Sequence, residues 1–231
     1  MDKINILLKI MLYLIFIILF LIVLLYPEPE YFDEPIPLIY INLDNRPDRK
    51  ERMEKLLNEY GLTNYYRLSA TYTPNNGHKG CADSHYRALK MAREKGWDQV
   101  LIMEDDFKFD IKPEEFKQKK IPKNNWNVLL LSAMWEKTKP HNDEVHKILG
   151  GASTTSGYIV KKHYLPKLEN LFKKCFENMS SDKTTNKGHE TWAIDQQWKQ
   201  YQNEDWFIFN PKLGKQDYNI KSSIQSSTKY N

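Results

Sequence analysis

Val100-Leu101-Ile102-Met103-Glu104-Asp105-Asp106 decides the fold: four apolar residues run directly into three carboxylates. Such a run predicts a strand covered on both faces, as in a parallel sheet flanked by helices. The acids then fall where the strand leaves the sheet, the edge at which open α/β sheets bind their ligands. A strand interior would not tolerate three unpaired carboxylates, whereas a divalent cation bound to a diphosphate would neutralise them. A solvated acidic turn is the alternative that the triplet alone leaves open.

Outward from this strand the chain alternates. Residues 37–43 (PLIYINL) have the character of a first, central strand, with Asn42 and Asp44 at its exit. Pro47 marks a helix start, Met53, Leu56 and Leu57 form its apolar stripe, and Gly61 stops it. Residues 65–68 predict a second strand and 71–80 a polar loop. A second helix is expected over 82–95, with Gly96 as its stop. Beyond the acids, 128–131 (VLLL), 155–160 and 206–209 are strand candidates, and 163–176 and 189–201 are helix candidates. The alternation implies a single α/β domain with a mostly parallel sheet.

The N-terminus is of another kind. From Ile10 to Tyr26 no residue carries a formal charge, and Lys9 is the one charge between Lys3 and Glu28. Residues 4–26 reach the roughly 20 apolar residues needed to span a bilayer. Lys3 and Lys9 lie at the start, while Glu28, Glu30, Asp33 and Glu34 follow the end, which places the N-terminus on the cytoplasmic side. A cleaved signal peptide would have an apolar core of about 7–15 residues and small residues at its cleavage site. Neither is present, so an uncleaved transmembrane anchor is expected. Residues 27–36, with Pro27, Pro29 and Pro35 among acids, suit a stalk. A domain over 37–220 follows, then a flexible tail over 221–231.

Net charge is +4 and the lysines are scattered, so a nucleic-acid footprint is not indicated. The cluster Lys117, Lys119, Lys120 reads as a solvated helix end. The two cysteines, Cys81 and Cys175, do not make a disulfide framework, and both pairing and free thiols stay open. Asn178-Met179-Ser180 is a glycosylation sequon, usable if the domain is translocated.

Three segments should converge on the C-terminal edge of the sheet: the loop after Leu43, the stretch Gly80 to His85, and the acid triplet. Ser84 and His85 are expected in the first turn of the second helix, beside free backbone N–H groups suited to a phosphate. Arg46 and Arg49 offer guanidinium groups to a diphosphate.

These segments resemble a known family. Ile41-Asn42-Leu43-Asp44-Asn45-Arg46-Pro47-Asp48-Arg49 is similar to the opening strand motif of glycosyltransferase family 25. Gly80-Cys81-Ala82-Asp83-Ser84-His85 resembles its Gly-Cys-x-x-Ser-His element, and Leu101 to Asp106 its Leu-Ile-x-Glu-Asp-Asp strand exit. Looser similarity extends to Ser156–Val160, to Trp192-Ala193-Ile194-Asp195, and to Pro211, Gln216 and Ser222-Ser223-Ile224. Asp83 and Tyr86 depart from the pattern, standing where apolar residues are usual. Ser222-Ser223-Ile224 lacks the acid often found in the middle of that segment.

The resemblance implies a GT-A-type, Rossmann-like domain that binds a UDP-sugar with Mn²⁺ or Mg²⁺. It implies an inverting transfer of a hexose, galactose or glucose, to a glycan, lipopolysaccharide or collagen-like hydroxylysine acceptor. Asp106 is the expected metal ligand, Asp105 a second or water-mediated one, and Glu104 a group orienting ribose or the loop. Asn42, Asp44, Arg46, Arg49, Ser84 and His85 are expected nucleotide contacts. Asp195 is the candidate base, with Glu190 in reserve. Trp192 and Trp198 would flank Asp195 on one helix, with Trp192 offering an apolar face to a sugar ring. His163, His189 and Gln216 are conceivable third metal ligands. With the charge asymmetry around the apolar run, a single-pass type II protein is expected, its domain on the translocated side of an ER- or Golgi-like membrane, with a bacterial inner membrane also open. A catalytically silent sugar-binding or adhesion module and a metal-dependent phosphohydrolase are the competing classes.

Overall fold

The computed structural model of the chain describes residues 2–25, 30–31, 36–122, 125–180 and 189–220, and their side chains except at 2–7, 22–25, 30–31 and 189–190. Most of the expected stalk and all of the 221–231 tail lie outside the described residues.

After an N-terminal helix α1 (Asp2–Leu25), the order is β1 (Leu38–Asn42), α2 (Pro47–Glu59), β2 (Tyr65–Ser69), α3 (Gly77–Glu94), β3 (Gln99–Glu104) and β4 (Phe107–Phe109). Then come β5 (Val128–Leu130), a hairpin of β6 (Lys137–Pro140) and β7 (Val145–Gly150), β8 (Gly157–Lys161), α4 (Leu165–Asn178), β9 (Trp206–Phe209) and β10 (Gly214–Gln216). Eight strands form one sheet in the order β2-β1-β3-β8-β5-β9-β7-β6. Parallel pairing joins β1 to β2 and β3, and β5 to β9. β8 is antiparallel to both β3 and β5, and β7 to both β9 and β6. Within this sheet only β7 and β8 therefore oppose the common direction, which keeps it mostly parallel.

The apolar runs are continuous because both faces are covered. Ile39, Ile41, Val100, Ile102, Val128 and Leu130 face α3 and α4, packing on Ala88, Leu89, Leu168 and Phe172. Leu38, Tyr40, Leu101, Met103 and Leu129 point the other way, onto Met53 and Leu57 of α2 and onto Phe116 and Trp126. The alternation along each strand places Asn42, Ser69 and Glu104 at the ends of three adjacent parallel strands.

The short strands β4 and β10 were not expected, and three further elements depart from expectation. α3 begins at Gly77 rather than Ala82, because Asn76 caps it by accepting the Lys79 N–H at 3.2 Å. Ser84 and His85 thus sit beyond the first turn, and the helix's free N–H groups belong to the 77–80 region. The helix expected over 189–201 is broken at Ala193, which is extended (φ −56°, ψ 133°) between His189–Trp192 and Ile194–Gln197. Trp198 is wholly buried and donates its Nε1–H to Ala152 O at 2.9 Å, so it serves the core. The β6–β7 hairpin was not anticipated; its sequences (KTKP, VHKILG) are polar and half-exposed.

Described side chains of α1, residues 8–21, are exposed throughout, from Leu8 and Ile10 to Phe20 and Leu21. Among the described residues no helix is long and apolar enough to cross a membrane.

β10 returns to pair antiparallel with β4, with Gly214 opposite Phe109 and Gln216 opposite Phe107. A Cβ on Gly214 would lie 2.2 Å from Lys108 O and 2.5 Å from the Phe107 ring. Gly214→Ala is therefore expected to destabilise the domain by about 1–3 kcal/mol in chemical denaturation. A wild-type midpoint in that variant would show that the β4–β10 contact is not tightly packed.

Candidate active site at the carboxyl edge of the sheet

Asn42, at the end of β1, is 2 % exposed and has its side chain fully engaged. Its Nδ2 donates to Asp105 Oδ2 at 2.7 Å and to Arg46 O at 3.1 Å, and its Oδ1 accepts from Arg67 Nε at 2.9 Å. Arg49, in the first turns of α2, is also buried. It donates to Asp105 Oδ1 at 2.7 Å and lies 3.5 Å from Asp106 Oδ2. Both Asp105 oxygens are thus held by protein donors. Arg52 adds bonds to the carbonyls of Asp105 and Phe107, each at 3.2 Å, which clamp the turn that follows β3.

Asp106 differs from its neighbour. Gln216 Nε2 donates to its Oδ2 at 3.0 Å, whereas Oδ1 is buried without a hydrogen-bond partner. Burial, followed by the adjacent Glu104 charge, pushes the Asp106 carboxyl up to about 7, against the opposing pull of Gln216 and Arg49. Glu104 behaves oppositely. Burial would raise it, but His85, Thr155 and Arg49 together hold it below the usual glutamate range. Its Oε1 lies 3.3 Å from His85 Nε2 and accepts the Thr155 hydroxyl at 2.6 Å. His85 Nδ1 in turn meets Tyr158 Oη at 2.8 Å.

Glu104, Asp105 and Asp106 floor an open cleft, with Arg49 and Gln216 on one side and Cys81, Ser84 and His85 of α3 on the other. Thr71, Tyr72 and Thr73 form the rim. The rim is fixed through Ser84, whose hydroxyl donates to Gly80 O at 2.7 Å while accepting the Thr71 N–H at 2.9 Å. Gly80 permits the approach: a Cβ there would lie 2.3 Å from Thr71 O.

The other expected contacts lie apart from the cleft lining. Arg46 pairs with Asp48 at 2.7 Å. Asp44, 71 % exposed at its side chain, bonds Arg67 and Ser69. Asp195 Oδ2 accepts the Thr154 N–H at 3.2 Å, and its charge is felt at the Cys81 thiol. Trp192 is half-buried and packs against the core cluster that includes residues of α3 and α4. The side chains of Glu190 and His189 lie outside the described residues. His163 bonds Asn127 at 2.6 Å, away from the acids. Both cysteines are free thiols.

Gln216, one of three undifferentiated possibilities in the sequence, is the one that meets Asp106. Cys81, which lines the cleft, was not singled out as a site residue in the sequence, nor were Tyr158 and Thr155, which bond the lining residues His85 and Glu104. The spacing of Cys81 and His85, four residues apart on a helix, was the available signal for Cys81.

The family profile described as glycosyltransferase family 25 (LPS biosynthesis protein) matches residues 62–185, more than half of the chain. The chain belongs to glycosyltransferase family 25. Its Gly80–His85 and Glu104–Asp106 segments lie inside the match. Similar solved structures include a glycosyltransferase involved in glycosylation of the major capsid of PBCV-1, at 11% identity and TM-score 0.44, covering 75% of this chain and 91% of that one. Mannose-1-phosphate geranyltransferase from Thermus thermophilus matches at 8% identity and TM-score 0.43, covering 75% and 73%. The glycosyltransferase GlyE of Streptococcus pneumoniae matches at 8% and 0.44, covering 75% and 44%. Among curated proteins none matches.

In this family-25 chain the raised Asp106 carboxyl has a definite pH signature. From the ordinary aspartate value of 3.8 up to about 7, the folded state retains a proton that the unfolded state has released. Stability therefore falls as pH rises through that window, by up to roughly 4 kcal/mol from this group. Denaturation in a chelating buffer at pH 4.5 and 7.5 should show this loss in the wild type and a smaller one in Asp106→Asn. Equal losses in both proteins would contradict the assignment.

Proposed function

We propose that this protein is a metal-dependent, inverting glycosyltransferase of GT-A type that moves a hexose, galactose or glucose, from a UDP-sugar to a hydroxyl of a glycan or hydroxylysine acceptor. The observation that carries it is Asp106 Oδ1, a buried carboxylate oxygen with no hydrogen-bond partner, facing a cleft lined by family-25 motifs.

That open oxygen fits a hard, oxygen-seeking cation such as Mn²⁺ or Mg²⁺, with Asp106 as the ligand and Gln216 beside it. When bound, such an ion supplies Lewis-acid stabilisation of the negative charge on the departing nucleoside diphosphate. Asp105 holds its place through Asn42 and Arg49, so its part is to fix the strand exit, with any metal contact through water. Glu104 and His85 form the inner wall, and the rim over Thr71–Thr73 borders the nucleotide. Arg49, 3.5 Å from Asp106 Oδ2, moderates the charge of an empty acid pair. Asp195 is the base proposed to take the acceptor proton, with Thr154 N–H holding one of its oxygens in place.

We also assign α1 the part of a membrane anchor. A helix apolar all round is stable only when buried or in lipid, and its described residues 8–21 touch no core of the domain. Lys3 and Lys9 then stay cytoplasmic, the domain lies on the translocated side, and exposed Asn178 becomes a glycan acceptor.

Two outcomes are expected. The detergent-solubilised full chain should hydrolyse or transfer from a UDP-hexose with Mn²⁺, and Asp106→Ala should lose at least about 100-fold in kcat. Activity retained in that variant, or none with any UDP-hexose, would defeat the assignment. Tight sugar-nucleotide binding without turnover would point to the binding module instead. Separately, the full chain should stay with membranes after alkaline carbonate extraction, and release into the supernatant would refute the anchor.

A further inference from the structure

Cys81 and His85 stand four residues apart on α3 and so share a face of that helix. Glu104 lies opposite them at the end of β3. One ligand-type atom from each residue falls within 4.8 Å of the other two. The arrangement is partly formed already. His85 Nε2 is buried without a hydrogen-bond partner 3.3 Å from Glu104 Oε1, and Nδ1 meets Tyr158 Oη at 2.8 Å; an ion at Nε2 takes the tautomer whose Nδ1–H donates to that hydroxyl. The Thr155 hydroxyl, donating to that same Glu104 oxygen at 2.6 Å, steadies the carboxylate. His85 is also stacked against Tyr158 with 5.7 Å between ring centroids, and Phe172 meets it edge-on, so the imidazole cannot turn freely.

A tetrahedral ion with bonds of about 2.0–2.3 Å brings its ligands to roughly 3.5 Å from one another. The imidazole–carboxylate pair already has that separation. The half-buried Cys81 thiol needs an approach on the order of 1 Å, within reach of a side-chain rotation. The set, one sulfur, one imidazole nitrogen and one carboxylate oxygen, suits borderline and soft ions, and differs in kind from the carboxylate oxygen that Asp106 offers.

We propose that Cys81, His85 and Glu104 form a three-ligand site for a thiophilic divalent ion of the zinc class, its fourth position open to the cleft. On binding, the Cys81 S–H bond breaks, a metal–sulfur bond forms, and the proton passes to solvent. Tyr158 is the positioning residue that orients His85, as outer-shell partners of metal-bound histidines do. The ion shares the cleft wall with the residues proposed to face the nucleotide, so a zinc-class ion and a sugar nucleotide compete for the same space. This site stands whether or not the cleft transfers a sugar.

The test uses the full chain in detergent with Co²⁺ alone, under reducing conditions, and reads the thiolate-to-cobalt charge-transfer absorption. The expected result is a band that saturates at one equivalent and is displaced by Zn²⁺. It should vanish in Cys81→Ser and persist in Cys175→Ser and in Asp106→Asn, with circular dichroism confirming that each variant is folded. Tyr158→Phe should keep the band but weaken cobalt binding about 10–100-fold. A folded wild type without the band, a band surviving Cys81→Ser, or one lost in Cys175→Ser would overturn the proposal. Manganese-dependent turnover is measured in separate reactions, so failure of either assignment leaves the other readable.

Discussion

The buried ion pair between Arg49 and Asp105 is the constraint on which the site depends. It ties the first turns of α2 to the exit of β3, and Asn42 adds the end of β1 to the same carboxylate. Two charges leave water here, and such pairs are tolerable only when their remaining hydrogen-bonding capacity is met; losing one partner typically costs about 3–5 kcal/mol. The pair is therefore better understood as a device for location than as a source of stability. It holds the backbone so that the next residue, Asp106, must project into the cleft.

The consequence is a division of roles within three consecutive acids. Glu104 turns toward α3, where His85 and Thr155 keep it charged. Asp105 is neutralised by an arginine below. Asp106 retains a buried oxygen that accepts from no described donor. A cation that seeks oxygen ligands therefore meets at Asp106 a buried carboxylate oxygen that no protein donor already occupies. Protonation of Asp106 is how the empty site lowers its own electrostatic cost.

Much of this frame is legible in the sequence itself. The strands ending at Asn42 and Glu104 follow from short apolar runs that stop in polar residues, and their helices from the stripes between them. The resemblance gave the three acids distinct expected roles, but the bonds that separate them were not legible, because the partners come from 56 residues away in Arg49 and 110 residues away in Gln216. The break at Ala193 carried no proline or glycine to announce it, so residues 189–201 read as one helix. Strand β10 is three residues long (GKQ), too short and too polar to show a period. Local pattern thus revealed the scaffold, while long-range hydrogen bonds assigned the duties.

One inverted element reshapes what the sheet can offer. In a wholly parallel sheet, only segments leaving strands gather at the binding edge. Because β8 runs backwards beside β3, the chain arriving at β8 is delivered to that edge as well, and Ser156 O accepts the Glu104 N–H at 3.0 Å while Thr155 reaches the carboxylate. The edge is consequently supplied by incoming as well as outgoing chain. Inbound residues 151–156 thus give this architecture a second source of groups that approach the acids from the far side.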